Sequence, residues 1–272
     1  MVDLGLGKNM VRALRFWVEV TNVAARNNTD GRFVFQSFGT DVLHPKRGFD
    51  PFLEDPATLW LLHWNIATQS APLFAWDFLL NRWSQPDFSR SEILRAFERE
   101  TARTARALSE ITLSQHFDIF LHSYVPSEGR GLAGEEDGLE CPLADLRLID
   151  QVGERTIVGG TRREPVYAFR RGRRSGITPS LFAYCTEEFW TARFPSERTM
   201  TLRELTFGAN SPGRVFQLVE DEVRALAEQL EESTDGAFEF RSSAAVPAVY
   251  REPKHKPAAL LKRIYRSNGP DA

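Results

Sequence analysis

The chain has 272 residues, 42% of them hydrophobic and 26% charged, which excludes a wholly disordered or collagen-like protein and leaves room for one large domain or a few small modules. With 34 basic against 37 acidic residues the formal charge is −3, so no global positive field marks a nucleic-acid partner and any polyanion must be met by a local patch. Two cysteines 44 residues apart, Cys141 and Cys185, disfavour a zinc module or disulfide framework and suit a reducing cytoplasm; with no signal peptide read and the longest apolar stretch at Leu59–Trp64, no membrane span is expected.

From Lys8 to Thr21, Val11, Leu14 and Val18 recur at helical spacing while Lys8, Asn9, Arg12, Arg15 and Glu19 share the opposite face, which predicts an amphipathic helix. A short extended stretch, a turn over Asn27–Gly31 and a strand at Arg32–Gln36 follow. Asp55-Pro56 supplies an N-cap and first position for a helix through about Thr68, and Ser70-Ala71-Pro72 opens another through about Trp83. The two are expected to pair antiparallel, with Leu59, Leu62 and Ile66 facing Leu73, Trp76, Leu80 and Trp83. Ser89 and Glu92 form a capping box for a helix to about Glu110, with Ile93, Phe97, Thr101, Thr104, Leu108 and Ile111 inward. A further helix over Ser114–Tyr124 ends at Val125-Pro126.

Residues 127–145 carry six acids, one arginine and four glycines and read as an exposed acidic loop, a candidate linker. The sign inverts over residues 154–174, where seven arginines stand against Glu154 and Glu164 around expected strands Thr156–Val158 and Pro165–Arg170, a basic β-ribbon. Thr178-Pro179 begins a helix to about Arg193, Thr201 and Glu204 make another capping box, and Ser211-Pro212-Gly213-Arg214 opens a helical run to about Glu232. Extended segments at Phe238–Arg241 and Val246–Tyr250 and a basic helix near Lys256–Arg266 close the chain.

Gly5-Leu6-Gly7-Lys8-Asn9 lacks both the first glycine and the Ser or Thr of a phosphate loop, since Val2 and Asn9 stand there. The same run reads instead as a turn feeding a helix whose cationic face is followed by a two-stranded wing. In helix-turn-helix proteins such a helix meets the major groove while basic side chains neutralise phosphates. Lys8, Asn9, Arg12 and Arg15 are therefore candidate DNA contacts, with a solvated helix face as the alternative. Arg162, Arg163, Arg170, Arg171, Arg173 and Arg174 are candidate backbone contacts, or a clamp for an acidic partner, or are screened internally by the acidic loop. Ser211, Gly213 and Arg214 at a helix start could hold a phosphate, although a cap explains them equally. The five histidines form no close zinc-type pair, Asp118 and His122 read as a helix-surface pair, no Gly-x-Ser-x-Gly occurs, and Asp145, Glu154 and Glu164 have no spacing that specifies magnesium. No catalytic residue, metal or cofactor is assigned.

The strings GLGKNMVRALRFW, DPFLEDPATLWLLHW, SYVPSEG, ECPLADLRLID and SPGRVFQL, in that order, closely resemble the motifs of the bacterial domain-of-unknown-function family 4007, from Leu4 to about Tyr265. The resemblance implies a multi-module protein whose first module is winged-helix-like. It also implies an association with phosphoadenosine-phosphosulfate-reductase-like proteins in DNA phosphorothioation or related anti-phage loci, without catalytic residues to transfer. The family pattern begins with further leading helices, so Met1 is expected to be an alternative start, with Val11, Leu14 and Val18 short of partners and an upstream-extended chain more stable.

The expected fold is α+β and mostly helical. Its modules are a winged-helix-like one at 1–50, truncated at its N-terminus, a helical region at 51–126, the acidic loop at 127–145, the basic ribbon plus helix at 146–198, and a mixed module at 199–272 whose element order suggests a second winged helix. The expected function is a cytoplasmic DNA-binding accessory protein of a DNA-modification or phage-defence system, with double-stranded DNA and a defence-system protein as partners. An adaptor for a sulfur-transfer or ATPase partner is the alternative, and a metal-dependent nuclease the weaker one.

Overall fold

The computed structural model of the chain describes residues 7–69, 73–103, 108–126, 141–242, 246–252 and 257–266. Helix α1 (Lys8–Val20) stops where Asn22 turns left-handed at φ 58°, and the Val23 amide reaches back to the Val18 carbonyl at 3.0 Å, a Schellman closure. Strands β1 (Ala24–Arg26) and β2 (Phe33–Phe35) then pair antiparallel, with Ala24 opposite Phe35. The six-residue α2 (Ser37–Val42) lies so close to this ribbon that a Cβ on Gly39 would stand 2.0 Å from the Val23 carbonyl oxygen.

Asp55 caps α3 (Pro56–Ala67) by accepting from the Ala57 amide at 2.8 Å, as its position before proline leads one to expect. This helix does not present a stripe to one neighbour. Every residue from Ala57 to Ala67 is buried, so α3 runs through the interior, and its polar Thr58, His63 and Asn65 are each hydrogen-bonded. Residues 70–72, the expected start of the next helix, lie outside the described residues; α4 (Phe74–Asp77) continues directly into a π-helical turn over Phe78–Arg82.

The three-residue β3 (Asp87–Ser89) precedes α5 (Arg90–Thr101), whose expected capping box between Ser89 and Glu92 is formed. This helix ends well before Glu110. Ser109 accepts from the Thr112 amide at 3.2 Å and starts α6 (Glu110–Tyr124), so Ile111 sits in an exposed first turn instead of the core, and Thr104 lies outside the described residues. Of the expected acidic loop, residues 127–140 lie outside the described residues. Its end is an ordered 3-10 turn at Pro142–Leu146 that buries Leu143 and Leu146.

A ribbon forms, but its first strand is β4 (Ile149–Thr156), which ends where the expected strand Thr156–Val158 began; its second, β5 (Arg163–Phe169), lies close to the expected Pro165–Arg170, and β3 pairs with β5 to give a three-stranded antiparallel sheet of order β3-β5-β4. The long α7 (Pro179–Arg193), capped by Thr178, is the second interior helix, buried continuously from Ser180 to Glu187. A second antiparallel sheet, β6-β8-β7, joins β6 (Thr199–Thr201), β7 (Phe238–Arg241) and β8 (Ala248–Arg251).

Between β6 and β7 lies α8 (Leu202–Phe207), held by the Thr201–Glu204 box. The single helical run expected from Ser211 is broken into α9 (Pro212–Val215), α10 (Glu220–Ala227) and α11 (Leu230–Ser233), with Gln217 at φ 54° forcing the first break. Helix α12 (Pro257–Arg266) returns to the start of α3, where Tyr265 Oη lies 3.0 Å from Thr58 Oγ1 and its ring stacks on Phe49 at 5.1 Å. The mixed α+β architecture is as expected. No described helix is long and apolar enough to cross a membrane.

The core is aromatic. Trp60 and Trp64 of α3 lie 5.6 and 5.5 Å from the ring of Phe216, and Trp64 Nε1 donates to Glu188 of α7 at 2.6 Å. His63 is wholly buried between them. Its Nδ1 lies 2.6 Å from Tyr124 Oη and its Nε2 lies 2.9 Å from the Val215 carbonyl, while Trp76 Nε1 donates to the same tyrosine oxygen at 2.7 Å. The carbonyl can only accept, which fixes the tautomer with the proton on Nε2 and Tyr124 donating to Nδ1. Burial holds the His63 pKa down at about 4, against the opposing pull of the Val215 carbonyl.

Candidate nucleic-acid interface

Helix α1 is fastened at one end. Asn65 Nδ2 donates to the Thr21 carbonyl at 2.8 Å, Gln69 Nε2 donates to the Val20 carbonyl at 2.5 Å, and the Trp17 ring meets Trp76 edge-on at 6.2 Å. These contacts cover the last turn and satisfy carbonyls that a helix end leaves open. The opposite end is exposed. None of the residues of α1 is buried, and Lys8, Asn9, Arg12 and Arg15 are all exposed.

Residues 8, 12 and 15 fall on one side of a 3.6-residue helix, and among the described residues no carboxylate pairs with their charged ends. The inward side differs from the sequence expectation. Trp17 and Val20 pack on the core, whereas Leu14 is 48% exposed and shares the surface with Met10 and Phe16.

The ribbon arginines separate into two groups. Arg162 and Arg163 sit at the β4–β5 turn, and Arg170 to Arg174 follow the far end of β5, about 24 Å away at ~3.4 Å per residue. Several are already paired: Arg163 with Glu154 at 3.4 Å, Arg170 with Asp150 at 3.7 Å, and Arg155 with Asp87 at 2.8 Å and Glu92 at 2.5 Å. The expected screening by the 127–145 loop concerns residues mostly outside the described ones.

At the far end of β5, Arg170, Arg171, Arg173 and Arg174 join Arg147 around a groove of about 970 Å³, with Glu54 and Asp145 the acids on its wall. Trp60, Thr178 and Pro179 also line it, so α7 begins there and presents its positive dipole end. Arg170, Arg171 and Arg173 are exposed, while Arg174 is 8% exposed. Burial lowers the Arg174 pKa to about 10, with Arg170 adding to the effect and Asp150 opposing it, so the group stays cationic at neutral pH. Arg147 and the helix start were invisible to a count of local charge, because Arg147 lies outside the basic run and α7 meets it only in the fold.

The run at Ser211 has a different explanation. Ser211 and Gly213 are buried; the Ser211 hydroxyl accepts from the Arg214 amide at 3.3 Å, and a Cβ on Gly213 would lie 2.4 Å from the Thr206 carbonyl oxygen. Capping and close packing on α8 account for these residues, and a four-residue helix with a covered end has no room for an anion. Asp118 pairs chiefly with Arg90, its Oδ2 accepting from Nη2 at 3.0 Å, with His122 adding a weaker electrostatic attraction. Glu164 is occupied by Ser91, whose hydroxyl donates at 2.6 Å and whose amide donates at 3.1 Å.

Residues 1–265 match a family described as a protein of unknown function, DUF4007. The chain belongs to the DUF4007 family. A comparison with curated proteins gave no significant match. Two crystal structures of SspB, one of them magnesium-bound, are similar to this DUF4007 chain with TM-scores of 0.80 and 0.79 at 23% and 24% identity, in each case over 99% of this chain and 80% of the other. At such identities the likeness is one of fold. Among the described residues of the DUF4007 chain, no three His, Cys, Asp or Glu side chains gather as metal ligands, and Asp145, Glu154 and Glu164 stand in separate settings, so no step is assigned to magnesium here.

Proposed function

We propose that this DUF4007 protein is a DNA-binding accessory protein of a DNA-modification or phage-defence system, acting by contact with the duplex. The observation that carries the reading is the exposed face of α1, where Lys8, Arg12 and Arg15 stand on one side without carboxylate partners among the described residues. In this reading α1 is the recognition helix of a winged-helix-like module and the β1–β2 ribbon its wing. Asn9 reaches a base edge or phosphate beside the three cations, and Arg162, Arg163 and the Arg170–Arg174 group add backbone contacts. The family resemblance to phosphorothioation and anti-phage loci supports the setting.

The test is duplex binding titrated with salt. Each neutralised phosphate contributes about 0.9 to the slope of log K against log salt, so replacing Lys8, Arg12 and Arg15 with glutamine is expected to flatten the slope by up to about 2.7. An unchanged slope refutes the role of α1.

A second reading rests on Met10, Leu14, Phe16, Val34 and Phe35, all more than 40% exposed in the same module. These side chains suit a protein partner, and the chain would then be an adaptor for a sulfur-transfer or ATPase protein of the same system. Such an adaptor co-purifies with its partner and shows no salt-sensitive shift with duplex DNA.

A further inference from the structure

The Arg174 guanidinium is hard to explain as a structural group. It is 8% exposed, its Nε and Nη2 have no hydrogen-bond partner among the described residues, and Nη1 makes only a long 3.4 Å contact with the Arg147 carbonyl. A planar cation removed from water without a carboxylate or a full set of acceptors is strongly disfavoured, and buried charges are ordinarily paired. Among the neighbouring charges Arg170 disfavours the cation more than Asp150 favours it, and Arg171 and Arg173 stand at the rim of the same groove, opposite Glu54 and Asp145 on its wall. Helix α7, 15 residues long, opens onto it as well, so backbone dipole and side-chain charge point the same way. The groove's volume of about 970 Å³ lies in the range of small-ligand sites.

We propose that this groove binds a phosphomonoester, its phosphoryl oxygens accepting from the Arg174 guanidinium once that side chain turns out of its covered position, and its outer charge met by Arg171 and Arg173. The choice of a monoester follows from depth. A phosphodiester inside a duplex is flanked by chain on both sides and contacts exposed side chains such as those at the rim, whereas a terminal phosphoryl group can descend to a recessed one. The two charges on a monoester suit a groove in which Arg171 and Arg173 stand at the rim beside the Asp150-paired Arg170 and Arg174 lies deeper, and arginine's planar fork suits bidentate phosphate recognition. The proposal deepens the nucleic-acid reading by giving one arginine group a ligand of its own, either the 5′-phosphate of a strand end or a free nucleotide.

Isothermal titration of the full chain with inorganic phosphate and with a 5′-nucleoside monophosphate, at constant ionic strength, tests it. Saturable binding is expected, weakened at least tenfold in Arg174→Met and in the Arg171→Gln, Arg173→Gln double variant. The methionine variant replaces an unpaired buried charge by an apolar chain of similar length, so it is expected to fold with unchanged or higher Tm, checked by circular dichroism. A merely structural Arg174 would show the reverse, a lowered Tm and no phosphate binding in the parent protein. Absence of saturable binding, or equal affinity in Arg174→Met, overturns the proposal.

A 5′-phosphorylated oligonucleotide binding at least tenfold tighter than its unphosphorylated twin assigns the strand end. Equal oligonucleotide binding together with tight nucleotide binding assigns the free monoester. The Lys8, Arg12 and Arg15 triple variant is expected to keep phosphate affinity unchanged, which separates failure of this site from failure of the duplex-binding reading.

Discussion

Replacing His63 with glutamine is expected to flatten the acid limb of the stability curve. The imidazole is wholly buried and neutral in the native protein, held between Tyr124 and the Val215 carbonyl, with its pKa lowered from 6.5 to about 4 by burial. In the unfolded chain it titrates near 6.5, so between those values the unfolded state binds a proton that the native state refuses. Stability therefore falls as pH drops through this window, at about 1.4 kcal/mol per pH unit, and the loss levels off below pH 4. At pH 4.5 the accumulated loss from this residue alone is about 2.5 kcal/mol relative to pH 7.5. Urea unfolding followed by tryptophan fluorescence at pH 7.5, 5.5 and 4.5 measures it. Other groups titrate in the same range, so the informative quantity is the difference between parent and His63→Gln in how much stability each loses. The variant starts lower at pH 7.5 because the hydrogen-bonded chain is disturbed, yet it should lose about 2.5 kcal/mol less on acidification. Equal losses in the two proteins would falsify the assignment of a neutral, depressed histidine to this position.

Tyr124→Phe removes the hydroxyl that accepts from Trp76 Nε1 and donates to His63; leaving those two buried groups unpaired is expected to cost about 1–3 kcal/mol each at most, read as a shift of the urea midpoint without change of slope. Gly213→Ala forces a methyl group against the Thr206 carbonyl and is expected to destabilise by about 1–3 kcal/mol, whereas Arg214→Gln should leave phosphate affinity untouched, as a packing role for this segment requires. Asn65→Ala and Gln69→Ala together uncap the end of α1; thermal unfolding should shift down modestly, and duplex affinity should fall although neither residue faces the duplex.

Much of the secondary structure was legible because its signals are local. Asp55, Ser89, Thr178 and Thr201 each cap a helix through a hydrogen bond to a residue two or three places on, so residue type and spacing suffice to find them. The α1–hairpin order was readable from helical periodicity and the Asn27–Gly31 turn for the same reason, and β5 from its apolar run, whereas β4 was placed too late because its exposed residues carry no alternation. Ser109 obeys that rule too, but the helical periodicity running through it concealed the break. The three-residue strands β3 and β6 were missed because a strand of that length exists only by virtue of its partner: Phe88 pairs with Tyr167, and Met200 with Val249.

The candidate site divides along the same line. Composition and spacing by themselves determined that the chain is an α+β protein with a cationic helix near its start and an arginine-rich ribbon, since charge and periodicity are properties of neighbouring residues. Only the tertiary structure decided which cations are free, which are paired and which are buried. Asp87 and Glu92 neutralise Arg155 across more than 60 positions of chain, while Arg147, the residues after β5 and the start of α7 meet around Arg174. His63, likewise, takes its neutral state from partners 61 and 152 positions away. Electrostatic environment depends on distance in space and on exclusion of water, and neither is encoded in the order of residues until the chain has closed on itself.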